Sequence, residues 1–163
     1  MSMEIRQRVT VNAAVDDVWA MITDIPRIAP CIPGTELDRQ LDATHYTGRV
    51  RVKVGPLALT LAGDLSVETI DPIARRIVLR GAGKDPRGLG HTDANVSISA
   101  SPEGDATLLE IVSDVRLGGP VAQFGRQAIV TDIVKRMLGA FASCLGERMT
   151  TQRGTEPSED RRR

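Results

Sequence analysis

Aromatic residues are scarce in this sequence: Trp19, Tyr46, Phe124 and Phe141 are the only ones among 163 residues. A platform that stacks nucleic-acid bases on aromatic side chains needs more of them, so that class of protein is nearly excluded. The chain also lacks net charge, since 21 basic residues offset 21 acidic ones. Because nucleic-acid binders gain affinity by neutralising phosphates, we expect no nucleic-acid partner.

Residue types that build catalytic and metal sites are few. His45 and His91 lie outside any His-x-x-x-His or His-Glu spacing, and the cysteines form no Cys-x-x-Cys pair, which argues against a zinc site. There is no Gly-x-Ser-x-Gly elbow and no phosphate loop ending in Lys-Ser/Thr. We therefore expect no metal, no cofactor and no catalytic residue, and both histidines are interpreted as surface residues.

The two cysteines, Cys31 and Cys144, are far apart, and the N-terminus lacks the pattern of a signal peptide. These features favour free thiols in a reducing, cytoplasmic setting, with Cys31 as a small buried apolar residue. No uncharged apolar run approaches the ~18 residues that a membrane span needs. The expected location is cytoplasmic.

The length and the apolar content of 41% suit one folded domain. Residues 3–10 alternate between apolar and polar side chains, which is typical of a half-buried strand. Val15, Val18, Trp19 and Ile22 then follow the spacing of a short helix, and prolines at positions 26 and 30 leave room for one more short turn of helix.

From residue 35 onward, alternation recurs at 45–55, 57–68, 75–81, 94–100 and 106–117, with turn signals between these segments. This pattern predicts an antiparallel meander. Residues 81–92 are rich in glycine and charge, so we expect a mobile loop there. A broad apolar stripe from Val130 to Leu145 predicts a long helix over residues 120–149, ~45 Å in length. Residues 150–163 contain no apolar residue and are expected to form a disordered charged tail.

These elements predict an α+β helix-grip fold in residues 1–149. A curved antiparallel sheet of about seven strands wraps around the long C-terminal helix, and one or two short helices follow the first strand. Because aromatic side chains are scarce, a single helix cannot completely fill the concave face of a curved sheet. Either the sheet closes tightly, or an apolar cavity of ~300–1,000 Å³ remains.

Four stretches of the sequence point to a family: DVWAMITD at 17–24, CIPG at 31–34, VKVGP at 52–56 and GGPVAQFG at 118–125. Over about residues 3–149 the chain resembles the carbon monoxide dehydrogenase G-subunit family, within the START and birch-allergen-like (SRPBCC) superfamily. The resemblance implies a helix-grip fold with a hydrophobic cavity. It also implies association with a carbon monoxide dehydrogenase-type molybdenum hydroxylase, whose maturation or membrane docking the protein would assist by carrying a quinone.

Some family members continue through a linker into an apolar C-terminal segment, whereas this chain ends in a charged tail, which argues against a built-in membrane anchor. We therefore expect a non-enzymatic accessory protein that binds a lipid or a quinone and makes peripheral contact with the inner face of the cell membrane. Two alternatives stay open: a polyketide cyclase/dehydratase-like enzyme, and a cavity-free assembly or interaction module.

Apolar side chains on the inward strand positions and on the helices are expected to bind the ligand. They are Trp19, Ile22, Ile32, Val52, Val54, Leu59, Leu61, Leu79, Phe124, Ile133, Val134, Met137 and Phe141. The loop at 81–90 and the hinge at 118–119 are expected to gate entry to the cavity.

Two groups of charged residues are interpreted as solvent-facing. Glu110 and Asp114 share one strand face, and the apolar residues of opposite parity place that face toward water rather than in an acid–base site. Arg49, Arg51 and Lys53 form a basic stripe. It could meet anionic lipid headgroups or an acidic partner, but a solvated sheet face is the favoured interpretation.

Overall fold

The computed structural model describes residues 2–162, with side chains described for residues 2–149. The strands are β1 Ser2–Val11, β2 Thr35–Gln40, β3 His45–Val54, β4 Leu57–Asp71, β5 Arg76–Lys84, β6 His91–Glu103 and β7 Ala106–Gly118. The helices are α1 Val15–Ile22, α2 Ile25–Ile28 and α3 Gln127–Arg162, and 3₁₀ turns span Ala29–Cys31 and Pro120–Gln123.

The strands form one antiparallel sheet in the order β1-β7-β6-β5-β4-β3-β2. Side chains alternate between its two faces, as β7 shows: Leu109 and Ile111 are buried, whereas Glu110 between them is exposed. The predicted α+β helix-grip architecture, with short helices after β1 and a long C-terminal helix, is confirmed.

A row of glycines crosses three neighbouring strands of the sheet. Gly48, Gly63 and Gly83 are in register on β3, β4 and β5. A Cβ atom on Gly63 would overlap the carbonyl oxygen of Ala82 on β5. The neighbouring backbone therefore approaches β4 here in a way that only glycine permits.

We expect Gly63→Ala to destabilise the fold by ~1–3 kcal/mol, because the added methyl group must displace the β5 backbone. Gly139→Ala is the control, since a Cβ atom there meets nothing within 4 Å, and alanine favours the helix. Urea denaturation measures both variants. A Gly63→Ala protein as stable as the wild type would show that the strands do not need this close approach.

The sheet has an open side, since its edge strands β1 and β2 do not pair in the described part of the chain. Helix α3 lies at this open side and packs mainly against β1. Val130 joins Met3 and Ile5 in a buried cluster, and the Gln7 side-chain amide donates to the Lys135 carbonyl at 3.4 Å. The helix thus covers the β1 edge far more than the β2 edge.

The helix begins later than the sequence predicts. Instead of one helix from residue 120, the chain makes the Pro120–Gln123 turn and starts α3 at Gln127. Between them, Phe124 packs on the β3–β4 hairpin, with its Cβ atom 3.2 Å from the position a Cβ would take on Gly55. Gly125 fits closely against Leu117, where a Cβ atom would come within 2.6 Å of Cδ1. These contacts hold the residues between the Pro120–Gln123 turn and Gln127, so α3 starts only at Gln127.

The far end of the chain is only partly described. Helix α3 is assigned through Arg162, while side chains are described as far as Met149. The predicted disordered tail at 150–163 falls outside the residues whose side chains are described. Both it and the predicted domain boundary at residue 149 stay predictions.

Cys31 and Cys144 form a disulfide, so the expectation of two free thiols is wrong. Their Cα atoms are 5.3 Å apart at a sequence separation of 113. The Ala29–Cys31 turn packs against α3, and this tertiary contact brings the cysteines together. Beside it, Arg148 Nη1 donates to the Arg27 carbonyl at 2.8 Å. The pairing removes the argument that unpaired cysteines made for a reducing compartment.

Replacing both cysteines by serine is expected to lower the free energy of unfolding by ~2–4 kcal/mol, because closing a long loop restricts the unfolded chain. Urea denaturation with and without dithiothreitol measures this loss. The double variant is the control, since reductant should leave its stability unchanged. A wild-type protein indifferent to reductant would contradict the pairing.

Candidate functional site

A pocket of about 640 Å³ opens between α3 and the β2–β3 side of the sheet. One wall is formed by α3 residues between Ala128 and Met137. The other wall comprises Pro33 and Gly34, just before β2, residues 51–53 near the end of β3, and Gly55 just after it. Its volume lies in the range typical of small-molecule sites.

Apolar side chains form the floor of this pocket. Val52 from β3 and Ile133 and Met137 from α3 line it, and all three are half-buried. Val52 and Ile133 also pack against a buried cluster that includes Val54 and Val121. An apolar ligand placed on this floor would displace water from apolar surface.

Charged residues contribute to the lining of the pocket on both walls. Asp132 and Arg136 come from α3, and Arg51 and Lys53 come from β3, where their side chains alternate with that of Val52. Asp132 Oδ2 lies 3.1 Å from Arg136 Nε, and both side chains are mostly exposed, at 67% and 71%. This is a solvent-facing ion pair one helical turn apart, a type that contributes little to stability.

The described core is divided into three clusters. A large one contains Ile22 and Phe141, a second contains Met3 and Val130, and the third contains Val54. Inward-facing strand residues that pack against these clusters are only half-buried. Among them are Leu61, Leu65, Leu79, Val96, Val115 and Leu117. These inner-face residues are therefore covered less completely than the members of the clusters.

The predicted lining residues do not all meet in the pocket. Val52, Ile133 and Met137 line it. Val54, Leu59, Leu61 and Phe124 belong to or pack against the adjoining cluster. Five more belong to the large cluster or pack against it: Trp19, Ile22, Ile32, Leu79 and Phe141. Val134 packs against the cluster that contains Met3 and Val130. Their part in ligand binding stays a prediction.

The residues predicted to bind the ligand did not include the turn before β2 or the charged residues of the lining. The lining also includes three turn residues, which the path of the chain brings to the pocket: Pro33, Gly34 and Gly55. Ile129 adds an apolar side chain that is 36% exposed. Ile129, Ile133 and Met137 are spaced four residues apart. This second apolar row on the flank of α3 is the signal that could have revealed the pocket wall.

The glycine-rich segment is shorter and better held than predicted. Strand β5 runs to Lys84 and β6 begins at His91, so the connection is only residues 85–90. The Asp85 carboxylate is fully enclosed and accepts hydrogen bonds from the Thr60 N–H at 2.9 Å and the Arg87 N–H at 2.7 Å. Farther along, the Leu89 carbonyl accepts from Val121 N–H at 2.9 Å. These bonds fix the connection to β4 and to the turn before α3.

The carboxyl of Asp85 has a pKa lowered from 3.8 to about 2, chiefly by its hydrogen bond to the Arg87 side chain and then by the Thr60 N–H. A lowered pKa means that the carboxylate stabilises the fold above its ordinary pKa, and that this contribution is lost as the pH falls through the folded value.

We therefore expect Asp85→Asn to unfold at a lower temperature at neutral pH and to lose part of its acid dependence between pH 3.8 and about 2. Thermal melts over this range measure the effect. Asp42→Asn is the matched control: its pKa is also lowered to about 2, by the Thr44 N–H and then His45, yet it lies far from this connection. Exchange of the amides at 85–90 should rise in Asp85→Asn alone, and unchanged exchange would contradict the assigned role.

A second pocket, of about 530 Å³, lies on the outer face of the sheet. Its charged lining residues are Asp64, Lys84, His91, Asp93 and Arg116. Arg80, nearby, pairs with Asp93 at 2.9 Å. The pocket carries both signs of charge, and none of the predicted ligand-binding residues lines it.

The solvent-facing interpretations of the charged residues are confirmed. Both histidines are exposed, and His45 Nδ1 lies 2.9 Å from Asp42 Oδ1. Glu110 is exposed and bonds Arg8 at 3.4 Å across the outer face. In the basic stripe, Arg49 binds Glu36 at 3.2 Å, which neutralises that end.

Two further observations concern metals and membranes. Among the described residues, no group of three or more His, Cys, Asp or Glu side chains is placed to hold a metal ion. In the same part of the chain, no helix is both long and apolar enough to cross a membrane.

Solved structures with the same fold extend over nearly the whole chain. The crystal structure of a conserved protein from Geobacillus kaustophilus has a TM-score of 0.80 at 19% identity, covering 91% of this chain and 96% of that one. A START superfamily protein from Mycobacterium smegmatis has a TM-score of 0.60 at 21% identity, covering 91% and 98%. The Zhui aromatase/cyclase from Streptomyces sp. R1128 has a TM-score of 0.62 at 20% identity, covering 91% and 96%. The chain has the START/SRPBCC-like helix-grip fold.

The sequence profile of CoxG, the carbon monoxide dehydrogenase G-subunit family, matches residues 8–150. The chain belongs to this family, as the resemblance of its sequence implied. No curated protein sequence matches the chain significantly.

Proposed function

We propose that this protein is a non-enzymatic accessory protein that binds an apolar molecule between α3 and the β2–β3 side of the sheet. The observation that carries the proposal is the pocket there, with its half-buried apolar floor of Val52, Ile133 and Met137. Membership of the CoxG family supports the accessory role.

Desolvation supplies most of the binding free energy in this proposal. A ligand that buries ~300 Å² of apolar surface gains about 7 kcal/mol before the costs of ordering are subtracted. The pocket volume of about 640 Å³ suits a single lipid chain or a quinone ring. Native mass spectrometry of the protein purified from its own host would identify the molecule by its mass.

The partner we propose is a molybdenum hydroxylase of the carbon monoxide dehydrogenase type, for which the family description is the support. The protein would exchange its ligand between that enzyme and the inner face of the cell membrane. Co-purification of the hydroxylase with the tagged protein from the same host tests this step.

The arrangement of carboxylates favours binding over catalysis. A cyclase or dehydratase needs an acid or base held in the pocket with a shifted proton affinity. Glu110 faces outward, and Asp132 at the pocket mouth is exposed beside Arg136. The enclosed carboxylate of Asp85 is occupied by Arg87 and backbone donors. The pocket itself argues against a cavity-free interaction module.

We expect Met137→Glu to abolish binding of a neutral apolar dye such as Nile red, because it places a charge on the apolar floor without a buried partner. Fluorescence titration measures the dissociation constant, which should rise at least ~tenfold for a loss of ~1.4 kcal/mol. Met137→Leu should retain binding.

Lys135→Glu is the matched control, since Lys135 is exposed on the same helix and does not line the pocket. Its dye affinity should equal that of the wild type. Equal affinity of Met137→Glu and Lys135→Glu for the dye would place the apolar site elsewhere.

A further inference from the structure

We propose that the Cys31–Cys144 disulfide is a redox switch for the pocket: the oxidised protein retains an apolar ligand, and reduction of the disulfide by a dithiol releases it. This inference rests on the proposed function and adds the regulation of that same site.

The disulfide joins the two walls of the pocket. Cys31 lies two residues before Pro33, which forms part of one wall together with Gly34. Cys144 lies on α3, seven residues beyond Met137 of the opposite wall. Seven residues make almost two full turns of helix, so both side chains leave α3 on the same flank, ~10 Å apart along its axis. The covalent bond is therefore in line with the flank of the helix that faces the pocket.

The short segment between the two walls is attached at both ends. Gly34 is attached to β3, because its carbonyl accepts a hydrogen bond from the Arg51 N–H at 2.9 Å. Cys31, three residues earlier, is attached to α3 by the disulfide. The distance between the α3 wall and the β3 wall therefore depends on this segment and on the bond that ties it to the helix.

The remaining contacts of α3 hold the helix unevenly. It packs mainly on β1, through Val130, and makes fewer contacts with β3. Around the disulfide, Phe141 and Leu145 are buried in the large cluster, and Arg148 Nη1 donates to the Arg27 carbonyl at 2.8 Å. These contacts keep the helix folded and docked when the disulfide is broken. The flank beside the pocket then loses its covalent restraint.

A reductant can reach the disulfide from the side of Cys144, which is half-buried, whereas Cys31 is buried. A thiolate of the dithiol attacks Cys144 Sγ, and Cys31 Sγ leaves as a thiolate and takes up a proton. The second thiol of the reductant then displaces Cys144. The reductant ends as a disulfide and both cysteines end as thiols, so two electrons and two protons have passed to the protein.

The effect on the ligand follows from the cost of ordering the pocket. In the oxidised protein the walls are already in position, whereas in the reduced protein the ligand must itself restrain the free flank of α3. Affinity is therefore higher in the oxidised state. By thermodynamic reciprocity, a bound ligand must protect the disulfide from reduction by the same factor.

Stopped-flow release of Nile red from the oxidised and the reduced protein tests the inference. We expect dithiothreitol to raise both the dissociation rate and the dissociation constant at least ~fivefold, the lower end of typical coupling between sites. The double variant Cys31→Ser, Cys144→Ser should release the dye as fast as the reduced wild type, with or without dithiothreitol.

Thr107→Val is the matched control for a general loss of stability. It removes a buried hydrogen bond of 2.8 Å to the Ala13 carbonyl, and Thr107 does not line the pocket. Its dye affinity should equal that of the wild type and should respond to dithiothreitol in the same way. Far-UV circular dichroism of each sample measures whether the protein is folded.

Reciprocal protection gives a second readout, which a disulfide with a purely structural role would not change. The protein is equilibrated with mixtures of reduced and oxidised dithiothreitol, and its free thiols are alkylated and counted by mass spectrometry. Saturating Nile red should raise the ratio of reduced to oxidised dithiothreitol needed for half-reduction, by the factor measured for the dissociation constants.

The outcomes separate this inference from the proposed function. Equal affinity and equal release rate in the folded oxidised and reduced proteins overturn the switch and leave the apolar site standing. Loss of dye only in step with loss of the circular dichroism signal also overturns it, since unfolding would then be the cause. Failure of the oxidised wild type to bind the dye overturns the proposed function itself.

Discussion

The open side of the sheet is the constraint on which the rest of this structure depends. Strands β1 and β2 are its edges, and α3 is the element that covers the space between them. With side chains, a helix is only ~10–12 Å across. Because α3 packs mainly on β1, through Val130, its other flank makes fewer contacts with β3. The pocket is the consequence of that one-sided packing.

Contacts at two places along α3 hold this arrangement. Near Cys144, the disulfide to Cys31 and the Arg148 bond to the Arg27 carbonyl fix the helix to the segment that leads into β2. Before its first turn, Val121 is buried and bonded to the 85–90 connection. The pocket lies between these two attachments. Its walls are therefore positioned before any ligand arrives, which lowers the ordering cost of binding.

The sequence predicts most of the fold because the relevant signals are local. Alternation identifies the strands, and the stripe from Val130 to Leu145 identifies α3. The disulfide could not be predicted from the sequence, because its two cysteines come together only when α3 packs against the Ala29–Cys31 turn. The segment around Asp85 looked mobile from its glycines, but its fixed position depends on the Thr60 N–H, a partner on another strand.

The residues that line the pocket divide in the same way, into those that local sequence patterns predict and those that only the tertiary fold brings there. Val52, Ile133 and Met137 were predictable from inward parity and helical spacing, whereas Pro33 and Gly34 reach the pocket through the path of the chain after the Ala29–Cys31 turn.

The most direct test of the account is methyl NMR during titration with an apolar ligand. The account predicts shifts at Val52, Ile133 and Met137. Shifts at Ala62 and Ala82 in the outer pocket, with none at those three, would contradict it.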